Sequence, residues 1–156
     1  MQHPEKGRSG DFWFEVHEKN GLVALALLTI FWCWTAVRRG DPGLGSWLPY
    51  FSANRRRALA DDIRLHLRAL LGHGLPRSDE QPLANAVHGL GALTALGTAC
   101  TGAAGYFLSQ KWALSIHGNL AVLMWAYFGG HVLMSLIHEF ARDPVLRNMF
   151  VFRAKK

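Results

Sequence analysis

Three long stretches of the chain carry no charged residue. Residues 21–37 have none over seventeen positions, and residues 83–109 and 112–137 contain no Asp, Glu, Lys or Arg. A helix needs about 20 apolar residues to cross the hydrocarbon core of a bilayer, and the shortest spans have about 17. The pattern therefore predicts an all-α integral membrane bundle with transmembrane helices at residues 17–38, 83–109 and 112–139. A chain of 156 residues then forms a single membrane domain, residues 1–156.

A different pattern occupies the linker between the first two spans, residues 39–82. Apolar side chains recur there at i, i+4, i+8 and i+11, and Arg and Asp occupy the other side; these apolar positions are Leu59, Ile63, Leu67 and Leu70. Such a stripe is typical of an amphipathic helix. We expect this helix to lie on the surface of the membrane.

Positive charge is divided unequally between the two ends of the predicted spans. Residues 38–82 hold eight Lys or Arg and the tail after residue 140 holds five, against three in residues 1–20 and one in the turn at Lys111. Loops rich in Lys and Arg stay in the cytoplasm. This predicts that the N-terminus lies outside and that the linker 39–82 and the tail 140–156 are cytoplasmic. Topology and anionic lipid account for the net charge of +6, so no nucleic-acid partner is expected.

Four histidines lie in or at the ends of the apolar stretches: His17, His88, His117 and His131. Ionisable side chains inside a span are costly and mark functional sites by default. His117 and His131 are fourteen residues apart, which places them on one face of a helix and roughly 21 Å apart along its axis. Threading the chain through the bilayer places His17 at the depth of His117, and His88 at the depth of His131.

Two histidine pairs at two depths favour two b-type haems with bis-histidine ligation, because the iron satisfies both imidazoles of a pair. A zinc or copper site would need three or four ligands at one depth, and no depth offers more than two. Glycines beside the histidines are predicted to leave room for the flat macrocycle: Gly21, Gly91, Gly118 and Gly130. Two alternatives stay open. Any single histidine can bond a backbone carbonyl, and glycines can serve helix packing, as the row Gly97, Thr101, Gly105 does.

The run at residues 112–150, WALSIHGNLAVLMWAYFGGHVLMSLIHEFARDPVLRNMF, resembles the last transmembrane helix of the prokaryotic cytochrome b561 family. This family includes the cytochrome b subunits of nickel–iron hydrogenases and formate dehydrogenases. Its last helix carries two haem-ligating histidines at this spacing, matched here by His117 and His131. Residues 16–82 resemble the family's second helix and cytoplasmic loop, with His17 at the ligand position, and residues 83–109 resemble its third helix. The family's usual first helix, which supplies a cytoplasmic-side ligand, has no counterpart here, so that ligand falls to His88 or to a partner subunit.

The resemblance implies an electron-transfer subunit of a respiratory oxidoreductase complex in a bacterial inner membrane, rather than a stand-alone enzyme. Its cofactors would be two haem b groups, or one if the site of His88 and His131 is absent, with quinone as a further candidate. Electrons would pass between a redox partner at the outer face and the quinone pool or another acceptor. The expected partners are lipid, other membrane or periplasmic redox subunits, and a second copy of the chain. The alternative function is a redox-inactive or single-haem structural anchor of a larger complex.

Overall fold

The computed structural model describes residues 11–40, 43–71 and 82–140. These residues form five α-helices: α1 (Phe12–Val37), α2 (Leu44–Trp47), α3 (Ala53–Leu71), α4 (Pro82–Phe107) and α5 (Lys111–Phe140). A 3-10 turn, Pro49–Phe51, joins α2 to α3. No strand occurs within these three described ranges. The predicted all-α class is therefore confirmed for the described residues.

Three of these helices, α1, α4 and α5, are long and apolar enough to cross a membrane, as the hydrophobic pattern predicted. The first begins at Phe12, five residues before its predicted start. Its N-terminus is set by Asp11, whose carboxylate accepts the backbone N–H of Phe14 at 2.8 Å. This cap satisfies a donor that the first helical turn leaves unpaired. The uncharged stretch begins only at residue 21, because Glu15, Glu18 and Lys19 lie in these first turns.

Helix α4 lies at the centre of the three spans and packs against both α1 and α5, whereas α1 and α5 contact each other little. Small residues bring α4 and α5 close together. Gly105 is buried and leaves no room for a Cβ beside Leu114, and Ala113 at the start of α5 is fully buried. Small residues allow helix backbones to approach in lipid, where apolar burial offers little driving force. The result is an arc of three helices with a groove between α1 and α5.

The linker packs against the first turns of α4. The backbone of Trp47 lies against Gly89, where a Cβ would clash with it. The Tyr50 hydroxyl donates to the carbonyl oxygen of Ala86 at 3.3 Å. The carboxylate of Asp62, a residue only 7% exposed, accepts the backbone N–H of Leu83 at 2.9 Å. Asp62 on α3 therefore acts as a side-chain cap for α4.

The predicted helix of the linker is present as α3, and a polar side of it packs against the bundle. Asp62 is buried and His66 is partly buried, with the His66 Nδ1 2.9 Å from the carbonyl oxygen of Asp62. Ile63 and Leu67 remain 38% and 56% exposed, so they stay available for lipid contact. The location of α3 on the membrane surface remains a prediction. The predicted tail, apart from the last residue of α5, lies outside the described residues.

Replacing Asp62 with Ala is expected to weaken the attachment of α3 to α4. The change removes the acceptor for the Leu83 N–H, and loss of an N-terminal cap costs about 1–2 kcal/mol. The measurement is the free energy of unfolding in detergent micelles. Asp61→Ala is the matched control, because Asp61 is exposed and, among the described residues, pairs with Arg64 of its own helix at 2.9 Å. Equal effects of the two substitutions would contradict the capping role.

Candidate functional site

A cavity of about 430 Å³ lies where α1, α4 and α5 meet, near the N-terminal end of α1. This volume falls in the usual range for ligand pockets, about 300–1,000 Å³. The side chains of α4 that line the cavity are largely small, which leaves space beside that helix: Ala95, Thr98, Ala99, Gly102, Ala103 and Gly105. Leu28 of α1 and Leu114 and Met124 of α5 add apolar walls. The cavity is therefore a mostly apolar space inside the predicted membrane region.

His17 of α1 and His117 of α5 both line this cavity. Their ring centres are 5.9 Å apart and their ring planes meet at 78°. An ion held between two imidazoles needs bonds of about 2 Å on each side, which with the ring radii separates the ring centres by roughly 6 Å. The observed separation is therefore suitable for one metal ion between the two rings.

The ring of His117 is held by the backbone of α4. Its Nδ1 lies 2.8 Å from the carbonyl oxygen of Thr98, and in the tautomer with a proton on Nδ1 it donates to that oxygen. A metal-bound histidine usually donates its second ring N–H to a carbonyl in this way, which fixes the ring and makes the ligating nitrogen more basic. The hydrogen bond occupies one ring nitrogen and leaves Nε2 for a ligand.

Gly102 is a residue of this site that the sequence analysis missed. A Cβ at this position would lie 3.0 Å from both Cε1 and Nδ1 of His117. The missing side chain therefore lets the imidazole reach the carbonyl of Thr98, which lies one turn before Gly102 on α4. The available signal was the Gly- and Ala-rich composition of α4, but many glycines share that signal and only the helix–helix contact singles out Gly102.

The second pair, His88 of α4 and His131 of α5, lies toward the opposite end of the bundle. The ring centres are 5.1 Å apart with an angle of 71° between the planes. This separation is shorter than the roughly 6 Å that an ion between two imidazoles requires, so the rings would have to move slightly apart. The ring of Tyr127, one turn before His131, stacks on it with centres 5.9 Å apart.

The four predicted glycines have different surroundings. Gly21 lines the cavity and has no heavy atom within 4 Å of its Cβ position. Gly118 and Gly130 also have open space beside them, but neither lines this cavity. Gly91 differs, because a Cβ there would clash with the ring of Tyr127. Gly91 therefore accommodates Tyr127, while contact of the other three with a macrocycle remains a prediction.

Each histidine pair offers two nitrogen ligands, and within the described ranges no group of three or more His, Cys, Asp or Glu side chains is arranged to hold a metal ion. Two axial ligands suit a haem, whose porphyrin supplies the other four. A buried polar atom also lacks a partner: within the described residues, no group bonds the indole Nε1 of Trp32. An unpaired buried donor of this kind is what a bound group with an acceptor atom would satisfy.

The family model described as prokaryotic cytochrome b561 matches residues 1–151. The chain belongs to the prokaryotic cytochrome b561 family. No curated protein and no solved structure gives a significant match. Family membership, together with three apolar helices, makes the protein a multi-pass membrane b-type cytochrome of electron transfer that binds haem b. The resemblance seen in the sequence is thereby confirmed.

Replacing Gly102 with Ala is expected to weaken haem binding at the cavity of this cytochrome. The added methyl group displaces the His117 ring from the Thr98 carbonyl, and loss of such a supporting contact typically costs about 10–100-fold in metal affinity. Haem absorbance per chain, before and after dilution in detergent, measures the effect. Gly97→Ala is the control, because a Cβ there meets only the Cδ1 atom of Leu120 at 3.4 Å. Unchanged haem retention in Gly102→Ala would contradict the assigned role.

Proposed function

We propose that this cytochrome transfers electrons across the membrane through two bis-histidine haem b groups. One would be held by His17 and His117 and the other by His88 and His131. The observation that carries the proposal is that two pairs of histidine rings meet at two depths of one bundle. Electrons would pass between a redox partner at the outer face and the quinone pool or another acceptor.

The protein's part in this transfer is to hold and insulate the two haems. When bound, haem would supply one-electron redox chemistry. The imidazoles would hold its iron, and the Thr98 carbonyl orients His117. The apolar cavity walls exclude water, and burial and hydrogen bonding are among the factors that set haem potentials.

The route between the two sites follows one face of α5. His117 and His131 are fourteen residues apart, roughly 21 Å along the helix axis. Met124 lines the cavity of the first site, and Tyr127 stacks on His131 of the second. Side chains of α5 therefore lie between the proposed haems, and they would help to keep water out of the path.

The charge of the linker supports the proposed orientation. Because Asp62 caps α4, the Arg-rich helix α3 is held at the His88 end of the bundle. Positively charged segments remain on the cytoplasmic side. We therefore assign the His88 end to the cytoplasm and the His17 end to the outer face of a bacterial inner membrane.

The outer end carries a small acidic region that suits a redox partner. Asp11, Glu15 and Glu18 lie within two turns of α1, next to the haem site of His17. Lys19 partly balances them through its ion pair with Glu15 at 3.6 Å. Interfaces between electron-transfer partners are small and transient, and acidic charge steers a basic partner to the site. A periplasmic or membrane redox subunit with a basic surface is the proposed partner.

A second candidate function is a single-haem or redox-inactive membrane anchor. It is favoured by the separation of His88 and His131, which is 5.1 Å and therefore short for a metal ion between the rings. In this alternative the inner pair stays metal-free and the bundle serves mainly to dock a larger complex. The number of haems decides between the two functions.

Haem analysis of the purified cytochrome is expected to return two protohaems per chain. The physical reason is that two separate histidine pairs each supply both axial ligands of one iron. A pyridine haemochrome assay with quantitative amino-acid analysis measures this ratio. A ratio near one would remove the inner site and favour the single-haem anchor, and a ratio near zero would leave the redox-inactive anchor.

Removing one histidine at a time should remove one haem at a time. His117→Ala is expected to abolish only the redox component of the outer site, and His131→Ala only that of the inner site. The reason is that each side chain serves a single depth of the bundle. Potentiometric titration of the haem absorbance resolves the two components. His66→Ala, in a histidine outside both pairs, is the control that should keep both, and loss of both components in either ligand variant would contradict independent sites.

A further inference from the structure

Helix α5 has a second regular face, which points away from the histidines. Along this face exposed residues follow one another at alternating intervals of four and three: Ser115, Asn119, Val122, Ala126, Gly129, Leu133 and Leu136. We call these seven residues the α5 seam. Alternating steps of four and three are the a and d positions of a heptad repeat, by which two helices pack along their length. Asn119 lies two residues after His117, about 200° around the helix, so the seam and the haem sites occupy different sides.

Asn119 makes this face unlike an ordinary lipid-facing surface. It lies eight residues after the first residue of α5, about 12 Å along the axis, and therefore inside the predicted span. Its side chain is exposed, and no described residue hydrogen-bonds its carboxamide. Hydrocarbon offers no hydrogen-bonding group, so an amide facing lipid carries a large desolvation cost. A polar group of another chain packed against this face would satisfy the carboxamide.

We propose that this group is Asn119 of a second copy, and that the α5 seam is the homodimer interface of this cytochrome. A carboxamide has both donors and acceptors, so two asparagines across a two-fold axis can satisfy each other. Copies of one membrane protein insert with the same orientation, which makes their α5 helices parallel. A single Asn at an a position is the feature that selects a dimer and its register in parallel helix pairs.

The rest of the seam fits close packing of two identical helices. Ser115, Ala126 and Gly129 are small, and no heavy atom lies within 4 Å of the Cβ position of Gly129. Small residues of this kind let helix backbones approach each other in membranes. Val122 and Leu133, 70% and 59% exposed in the single chain, would supply the apolar contacts between them. A two-fold interface uses the same surface of both partners. The α5 seams of two copies can therefore pack against each other without any other surface.

Disulfide cross-linking of the full chain in membranes tests the interface. In a background with Cys33→Ala and Cys100→Ala, Val122→Cys is expected to form a linked species of twice 17.4 kDa, with both halves identified as this chain by mass spectrometry. Leu27→Cys is the matched control, since Leu27 is 61% exposed on α1 and lies off the seam. It should remain monomeric.

A second substitution tests the role of the amide. Adding Asn119→Leu to the Val122→Cys chain should lower the linked fraction about tenfold when the protein is diluted in lipid, whereas Asn119→Gln should retain most of it. Haem content per chain should be unchanged in both, because Asn119 faces away from the haem sites, and this readout separates loss of the dimer from loss of the fold or of haem. Val122→Cys that stays monomeric, or that links only to a different protein, would overturn the proposal. An undiminished linked fraction in Asn119→Leu would do the same.

Discussion

The constraint on which the structure depends is that hydrocarbon satisfies no polar group, so polar atoms of the spans must find partners within protein or cofactor. Most do so locally: hydroxyl groups bond carbonyls one turn earlier on their own helices, in Thr29, Thr35, Thr94, Thr98, Thr101 and Ser135. His117 does so across helices, through the Thr98 carbonyl. The polar groups left over mark where the chain meets something else. Histidine nitrogens face the proposed haems, and the Asn119 amide faces the proposed second copy.

Helix α4 presents a surface of small residues against which its neighbours pack. Four glycines of α4 each lie against a different group. These contacts are Gly89 with the Trp47 backbone, Gly91 with the Tyr127 ring, Gly102 with the His117 ring, and Gly105 with the Leu114 side chain. A Cβ at any of them would meet that neighbour at 3.0 Å or less. The helix therefore acts as the common surface against which the linker and α5 are positioned, and the ligand-bearing face of α5 takes its rotation from these contacts. Haem ligation and helix packing use the same small residues, which is why the two explanations of these glycines are not exclusive.

The linker contributes more than a connection between spans. Its buried carboxylate, Asp62, caps α4 at Leu83, about one and a half turns before His88. Tyr50 and Trp47 contact the same turns of α4. The His88 end of the bundle is thereby held by a segment outside the spans. The two ends therefore differ: the pair of His17 and His117 lies beside an apolar cavity, whereas the pair of His88 and His131 lies near the packed linker and Tyr127.

Local properties of the sequence determined the three helical spans, the family, and the depths at which histidines occur, because hydropathy, charge and residue spacing act along one helix at a time. The tertiary structure decided which face met which neighbour. Nothing in the spacing of α4 distinguished Gly102 from Gly97, yet only Gly102 receives the His117 ring. The linker stripe predicted a face of α3 for the membrane surface, but it did not indicate which group would attach α3 to the bundle: that group is the buried Asp62, which accepts the free N–H of another helix. Such contacts depend on the relative rotation and crossing of helices distant in sequence, and no single stretch of the chain encodes these.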